Sequence, residues 1–294
     1  MKFSVTNRQK IIAFIFSFFI VGFVAFAEVH ETAIADEGFA RWFKSYFIAS
    51  QPEQIITRET YQKPLSGQAI TVPIIVYHSV RPNYPGQTAA IKRYTTEPDV
   101  FEKELIYLKN KNYHTISFNE VLEYFDSGKP LPSKSVILTF DDGWENQYVY
   151  AFPLLKKYGF TGTFFIFTNA VGHKHFMTWD QIKELDAAGM TIGGHTKTHP
   201  YLTKITDPQK LTNEISGGKK IIEEHLGKTI QTFAYPFGFY NNTVVQAVKD
   251  AGYRIGRTSS AGINHTQKDL LTLKCLYDQN SVLAFKIFDD LIIN

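Results

Sequence analysis

Four short patches of this chain combine residue types able to do hydrolytic chemistry. Asp141 and Asp142 stand side by side before Gly143. His195 and His199 form an H-x3-H pair. His78 follows an apolar run, and Tyr235, Pro236, Phe237 and Gly238 make a sharply turning segment. Two adjacent carboxylates repel each other, and a positive charge nearby relieves that cost. Gly143 permits a tight turn that aims both acids at one point. Two imidazoles at this spacing, on one helical turn or in a compact loop, can reach one ion. Zinc and similar divalent ions take His nitrogen and carboxylate oxygen in this way. Gly193-Gly194 lets the backbone pass close to such a site. Taken singly, the patches also fit blander structure: an Asp-Asp-Gly turn capping a helix, a chance pair among nine histidines, a structural His78. Together they describe two histidines and a carboxylate around a metal with positions left open. Such a metal polarises a carbonyl oxygen and lowers the pKa of bound water. The spare carboxylate then acts as general base, and a neighbouring histidine protonates the leaving group. Backbone N–H groups near Tyr235–Gly238 hold the oxyanion. The chemistry is metal-assisted hydrolysis of an amide or ester.

The elements that must position these residues alternate regularly from residue 72 onward. Strand runs are read at Val72–Tyr77, Thr115–Ser117, Val136–Phe140, Thr163–Thr168, Met190–Gly194, Gln231–Tyr235 and Arg254–Ser259. Helices are read from Glu97-Pro98, with Phe101, Leu105 and Leu108 on one face, then up to Gly128 and up to Gly159. Further helices follow over Thr178–Gly189, 207–227 and Asn241–Gly252. One additional apolar run, Leu271–Tyr277, precedes a final helix near 281–292. This alternation predicts a parallel sheet with helices outside, and seven or eight such units predict a closed, TIM-like barrel. In such folds chemistry sits at the C-terminal ends of strands, and all four patches fall there.

The 294 residues include 31 basic and 28 acidic side chains, a formal charge of +3, which gives no argument for nucleic acid. The single cysteine, Cys275, excludes an intramolecular disulfide and a CxxC metal knuckle, so any metal must be held by His, Asp or Glu. Lys2, Arg8 and Lys10 precede the uncharged run 11–27, with Ala25-Phe26-Ala27 at the positions a signal peptidase needs. Residues 1–27 are therefore expected to be a signal peptide or membrane anchor, with the remainder outside the cytoplasm, secreted or held at the membrane. Residues 28–70 read as a linker, in which Phe39–Phe47 fits a short amphipathic helix or a packing arm, and 71–294 as one catalytic domain.

Thr139–Gly143 (TFDDG), His195–Pro200 (HTKTHP) and Phe233–Gly238 (FAYPFG) resemble the polysaccharide deacetylases of carbohydrate esterase family 4, over about residues 72–260. The resemblance implies a distorted (β/α)7 barrel and metal-dependent removal of acetyl groups from sugars. It implies Asp141 as general base, and Asp142, His195 and His199 as ligands of a divalent metal, Zn2+ first, with Co2+ or Ni2+ as substitutes. It places Tyr235, Pro236, Phe237 and Gly238 along the acetyl pocket, with the oxyanion amide at Phe237 or Tyr235. Two departures stand out. The family's third motif carries an Arg a few residues before its Pro-Tyr, where Phe233 and Ala234 stand here. The late Leu-x-x-His motif is not evident, and His265 fits it poorly. With Val72–Val80 (VPIIVYHSV), both departures resemble the branch acting on poly-β-1,6-N-acetylglucosamine of biofilm matrices, which implies His78 as the group that protonates the leaving amine. The implied partner is an acetylated polysaccharide, in that branch or as peptidoglycan, chitin-like oligomers or xylan. The segment from His78 to Thr95, with Tyr84 and Tyr94, is either a sugar contact or a plain surface loop. A non-catalytic polysaccharide-binding protein that kept the fold is the competing reading from another class.

Overall fold

The structure, a computed structural model, describes residues 67–277. Its strands are β1 (Ala69–Thr71), β2 (Ile74–Tyr77), β3 (Ser79–Val80), β4 (Thr95–Thr96), β5 (His114–Thr115), β6 (Ser135–Phe140), β7 (Thr163–Ile166), β8 (Thr191–Gly194), β9 (Thr232–Ala234), β10 (Ile255–Ala261), β11 (Asn264–Thr266) and β12 (Leu273–Tyr277). Its helices are α1 (Ala89–Arg93), α2 (Pro98–Asn110), α3 (Phe118–Ser127), α4 (Phe152–Tyr158), α5 (Trp179–Ala187), α6 (Pro208–Leu226) and α7 (Asn242–Asp250). The expected segment 11–27, the Phe39–Phe47 helix and the helix near 281–292 lie outside the described residues.

Seven parallel strands close in the order β2, β12, β10, β9, β8, β7, β6, with β6 pairing back onto β2. The expected (β/α)7 barrel is present, but its membership differs from the first seven strand runs read in the sequence. β5 pairs only Ser135 and Val136 at the start of β6 and stays outside the ring. Its extension is stopped by Ser117, whose hydroxyl and Glu120 cap α3 reciprocally and turn the chain into a helix. The closing strand is β12, from the run Leu271–Tyr277 that the sequence reading treated as an addition. At the other end, β1 pairs with β11, so Ala69 and Ile70 belong to the folded unit rather than to the expected linker.

Strand periodicity sorts the barrel into an inner and an outer row. Ile74, Val76, Ile137, Phe165, Ala234, Ile255, Leu273 and Cys275 form one buried cluster with Val121, Leu122 and Phe125 of α3. The intervening Tyr77, Leu138, Phe140, Phe164, Ile166, Phe233 and Tyr235 form the second, against the surrounding helices. Asp141, His195 and Arg257 continue the first row by the same period of two. Side-chain volume limits where β8 can run: a Cβ on Gly193 would lie 2.6 Å from the Phe165 ring, and one on Gly194 2.0 Å from the Tyr253 hydroxyl. Two glycines are thus required where the chain enters the histidine loop.

Candidate active site

All four patches meet at the C-terminal end of the barrel, around a cavity of about 1340 Å³ that His78, Asp141, Asp142, His195, His199, Tyr235, Phe237 and Gly238 help to line. Asp141 leaves β6 with its N–H donating to the Tyr77 carbonyl at 2.9 Å. Nη2 of Arg257, on β10, lies 2.6 Å from both of its carboxylate oxygens. Both side chains are buried. Burial acts to lower the Arg257 pKa, but the charge and hydrogen bonds of Asp141, with Cys275 and Tyr277, together raise it, so the guanidinium is held firmly in its charged form. Gln147 ties two strand ends together: its side-chain amide donates to the main-chain carbonyls of His78 and Asp141. It opens a π-helical turn, Gln147–Ala151, a distortion that recurs at functional sites.

Asp142 points elsewhere. Its backbone sits in the left-handed region at φ 76°, with Gly143 following at φ 74°, so consecutive carboxylates diverge. Its Oδ1 lies 3.5 Å from Nε2 of His195 and 3.4 Å from Nε2 of His199. Its Oδ2 accepts a hydrogen bond from Nε1 of Trp144 at 3.0 Å. Nδ1 of His195 lies 2.7 Å from the Ala234 carbonyl, which can only accept, so that nitrogen carries the proton and Nε2 offers its lone pair. The H-x3-H pair therefore works from a compact loop rather than a helix. Thr196 and His199 both have positive φ, 70° and 57°. The His199 N–H donates to Thr196 Oγ1, and the Glu214 carboxylate of α6 accepts from the N–H groups of Lys197 and Thr198. α6 can come this near because residue 218 is glycine: a Cβ there would stand 2.9 Å from the Thr196 carbonyl carbon.

The donor set fits a divalent metal. One ligand atom each from Asp142, His195 and His199 lies within 4.8 Å of the others. Tetrahedral zinc, with bonds of about 2.0–2.2 Å, places neighbouring donors roughly 3.3–3.6 Å apart, which matches both carboxylate–imidazole spacings. Burial acts to raise the Asp142 pKa, but the hydrogen bond and charge of His195, with His78 and His199, keep the carboxyl well below the ordinary range. Burial, then the neighbouring His195, pull the His199 imidazole down to about 4 against the opposing carboxylates, which favours the neutral, ligating form.

His78 directly follows β2, with Nε2 3.8 Å from Oδ2 of Asp141. Tyr94 meets its ring edge-on at 5.0 Å and Tyr277 stacks against it at 6.1 Å. Of the two amides expected at the oxyanion, that of Tyr235 already donates to the Arg257 carbonyl at 3.1 Å. Phe237 remains, held at φ 59° in a turn that needs glycine next to it, since a Cβ on Gly238 would fall 2.1 Å from Ser259. Tyr84 and Tyr94 of the 78–95 segment also line the cavity. His265 does not: its Nε2 lies 2.9 Å from the Val72 carbonyl, on β11.

The sequence reading missed Arg257, Trp144 and Gln147. No arginine stands beside Phe233 and Ala234, and the cation that orients Asp141 comes from β10 instead. The usable signal was Arg257 within the strand run Arg254–Ser259, two residues after the apolar Ile255 and so on the same face by alternation.

Comparison with known proteins finds deacetylases among those similar to this chain. Residues 128–256 match the polysaccharide deacetylase family. The chain is 32% identical over 191 residues to YxkH of Bacillus subtilis, a polysaccharide deacetylase by name; the match covers 65% of each protein. It is 30% identical over 179 residues to poly-beta-1,6-N-acetyl-D-glucosamine N-deacetylase of Staphylococcus aureus, covering 56% of this chain and 61% of the relative. The chain thus spans less than two thirds of the length of these relatives. Among solved structures, Streptococcus pyogenes deacetylase PplD in complex with acetate superposes with a TM-score of 0.66 at 29% identity, covering 71% of this chain and 93% of that one.

Proposed function

We propose that this chain, which carries a polysaccharide deacetylase domain, hydrolyses N-acetyl groups of an extracytoplasmic polysaccharide, with poly-β-1,6-N-acetylglucosamine as the preferred polymer. The observation that carries the reading is the division of labour between neighbouring acids: Asp141 paired with Arg257, Asp142 paired with two imidazoles. Asp142, His195 and His199 would hold a divalent cation, zinc by the N/O donor set, which supplies carbonyl polarisation and a lowered pKa for water. Asp141 accepts the proton of the attacking water, and the Arg257 guanidinium fixes that carboxylate in direction. The Phe237 N–H donates to the oxygen on which charge develops. His78, beside Asp141, gives a proton to the departing amine. The run 11–27 directs the chain out of the cytoplasm, as signal or anchor.

The test is acetate release by the purified full-length chain from poly-β-1,6-N-acetylglucosamine oligomers, before and after chelation and after restored Zn2+. Release that is lost with chelator and restored with metal is expected. Release only from peptidoglycan or chitin fragments would keep the chemistry and overturn the polymer. No release from any acetylated sugar by the metal-bound chain would overturn the enzyme.

A further inference from the structure

The ladder between β2 and β6 ends just short of the reactive groups. Its last paired residues are Tyr77 and Phe140, and one further backbone bond joins the Asp141 N–H to the Tyr77 carbonyl at 2.9 Å. Beyond that rung one strand continues into His78, Ser79 and Val80, while the other turns away at Asp142, at φ 76°. Two consecutive carboxamides take over from the ladder. Gln147 Nε2 donates to the main-chain carbonyl of His78 at 2.6 Å and to that of Asp141. Asn146 Oδ1 accepts from the Val80 N–H at 2.8 Å, and its Nδ2 donates to Ser79 Oγ at 3.0 Å. Residues 78, 79 and 80 are thus each gripped by 146 or 147.

The two ends of this grip depend on it unequally. Asp141 is also fixed by Arg257 at its carboxylate and by Tyr77 at its N–H. The His78 ring touches Tyr94 and Tyr277 but makes no hydrogen bond among the described residues, so its place is inherited from its backbone. The fold also carries a cost to keep the glutamine. Gln147 is fully buried, and its Oε1 has no hydrogen-bond partner among the described residues. A buried acceptor left unpaired is destabilising. Leucine would fill similar space without that oxygen, and would lack only the amide that joins His78 to Asp141.

We propose that Gln147, supported by Asn146, is a positioning residue for proton transfer that fixes His78 against Asp141. The proposal rests on the acid and base roles given to that pair above. Their spacing serves two steps. Asp141 takes a proton from water as the water oxygen bonds to the acetyl carbon. His78 gives a proton to the nitrogen as the C–N bond breaks, leaving acetic acid and the free amine. The proton on Asp141 then passes to His78 and restores both groups, across the 3.8 Å between them. A displacement of about 1 Å at reacting groups can cost roughly 100-fold in rate.

The experiment measures kcat and KM for an N-acetylglucosamine oligomer and for an aryl acetate, beside Zn2+ affinity, in the wild-type chain, Gln147→Leu and Asn146→Ala. Each variant is also made in the His78→Ala background. Gln147→Leu is expected to lose about 10–100-fold in kcat on the amide, with KM and Zn2+ affinity near wild type. It should lose far less on the aryl ester, whose leaving group needs no proton. Asn146→Ala should shift the same way by roughly threefold to tenfold. In the His78→Ala background Gln147→Leu should cost under about threefold, because the group it positions is gone. The same cost with and without His78, or equal losses on amide and ester, would overturn the proposal and leave Gln147 a part of the fold. Unchanged rates in both variants would overturn it too. His78→Ala losing equally on both substrates is the separate failure of the acid reading, and it takes this proposal with it. Where Gln147→Leu does not fold, the half-buried Asn146→Ala carries the same comparisons. A crystal structure of the folded variant decides the matter without turnover. A wider separation of His78 from Asp141 than in the wild type supports the proposal, and an unmoved pair overturns it.

Discussion

One guanidinium nitrogen of Arg257 touches both carboxylate oxygens of Asp141 at 2.6 Å, across 116 residues of chain and inside the barrel. Only closure of the sheet brings β10 and β6 into that relation. The pair sets the character of the whole site, because it gives one of two adjacent acids a permanent cation and leaves the other to the histidines.

Removing half of this pair should hurt the fold as well as the reaction. Arg257→Ala leaves a buried carboxylate uncompensated, a change that costs about 3–5 kcal/mol. Asp141→Asn in the same background relieves that charge. The double variant is therefore expected to melt at a higher temperature than Arg257→Ala alone, and a double-mutant cycle should show strong coupling. Additive losses in thermal melts would mean that the two residues do not act as a pair.

Trp144 makes a narrower prediction. Its indole N–H holds Oδ2 of Asp142 and leaves Oδ1 to face the imidazoles. Trp144→Phe keeps the ring that stacks on Phe176 at 4.3 Å and deletes the donor. Metal affinity should fall roughly 10–100-fold, the usual effect of losing a ligand's supporting hydrogen bond, with little change in the melting temperature of the metal-free chain. Competition against a chromogenic chelator measures it. Unchanged affinity would reduce Trp144 to packing.

Ligand and base should separate cleanly. Asp141→Asn is expected to bind metal as the wild type does and to lose nearly all acetate release. His195→Ala and His199→Ala should lose both, since each removes one of the three side chains proposed to hold the metal. Metal content by atomic absorption beside acetate assays distinguishes the cases. An active Asp141→Asn would remove Asp141 from the role of base.

What could be read from the chain alone follows from the range of each signal. The strand runs announce themselves because alternate residues face two buried layers, and helix boundaries because Ser117, Thr178 and Asp207 cap within three residues. Asp142, His195 and His199 are legible because DDG and H-x3-H are local patterns. Arg257 is not, since its partner lies on another strand and a single arginine in a strand looks the same at a sheet edge. β12 escaped for a related reason: whether an apolar run closes a ring depends on its neighbours, here β2 and β10, and not on its own composition.

His78 separates by leaving group. An amine departs from an amide only as it gains a proton, whereas a phenolate leaves an aryl ester unaided. Nε2 of His78 is 3.8 Å from Asp141, near enough to serve a group attacked beside that carboxylate. His78→Ala should therefore lose about 10²–10⁴-fold in deacetylation of an N-acetylated sugar and far less in hydrolysis of an aryl acetate. The loss on the amide should be carried by kcat, because the proton is delivered as the C–N bond breaks. Equal losses on both substrates would assign His78 to shaping the cavity with Tyr94 and Tyr277, and the leaving amine would then take its proton from another group.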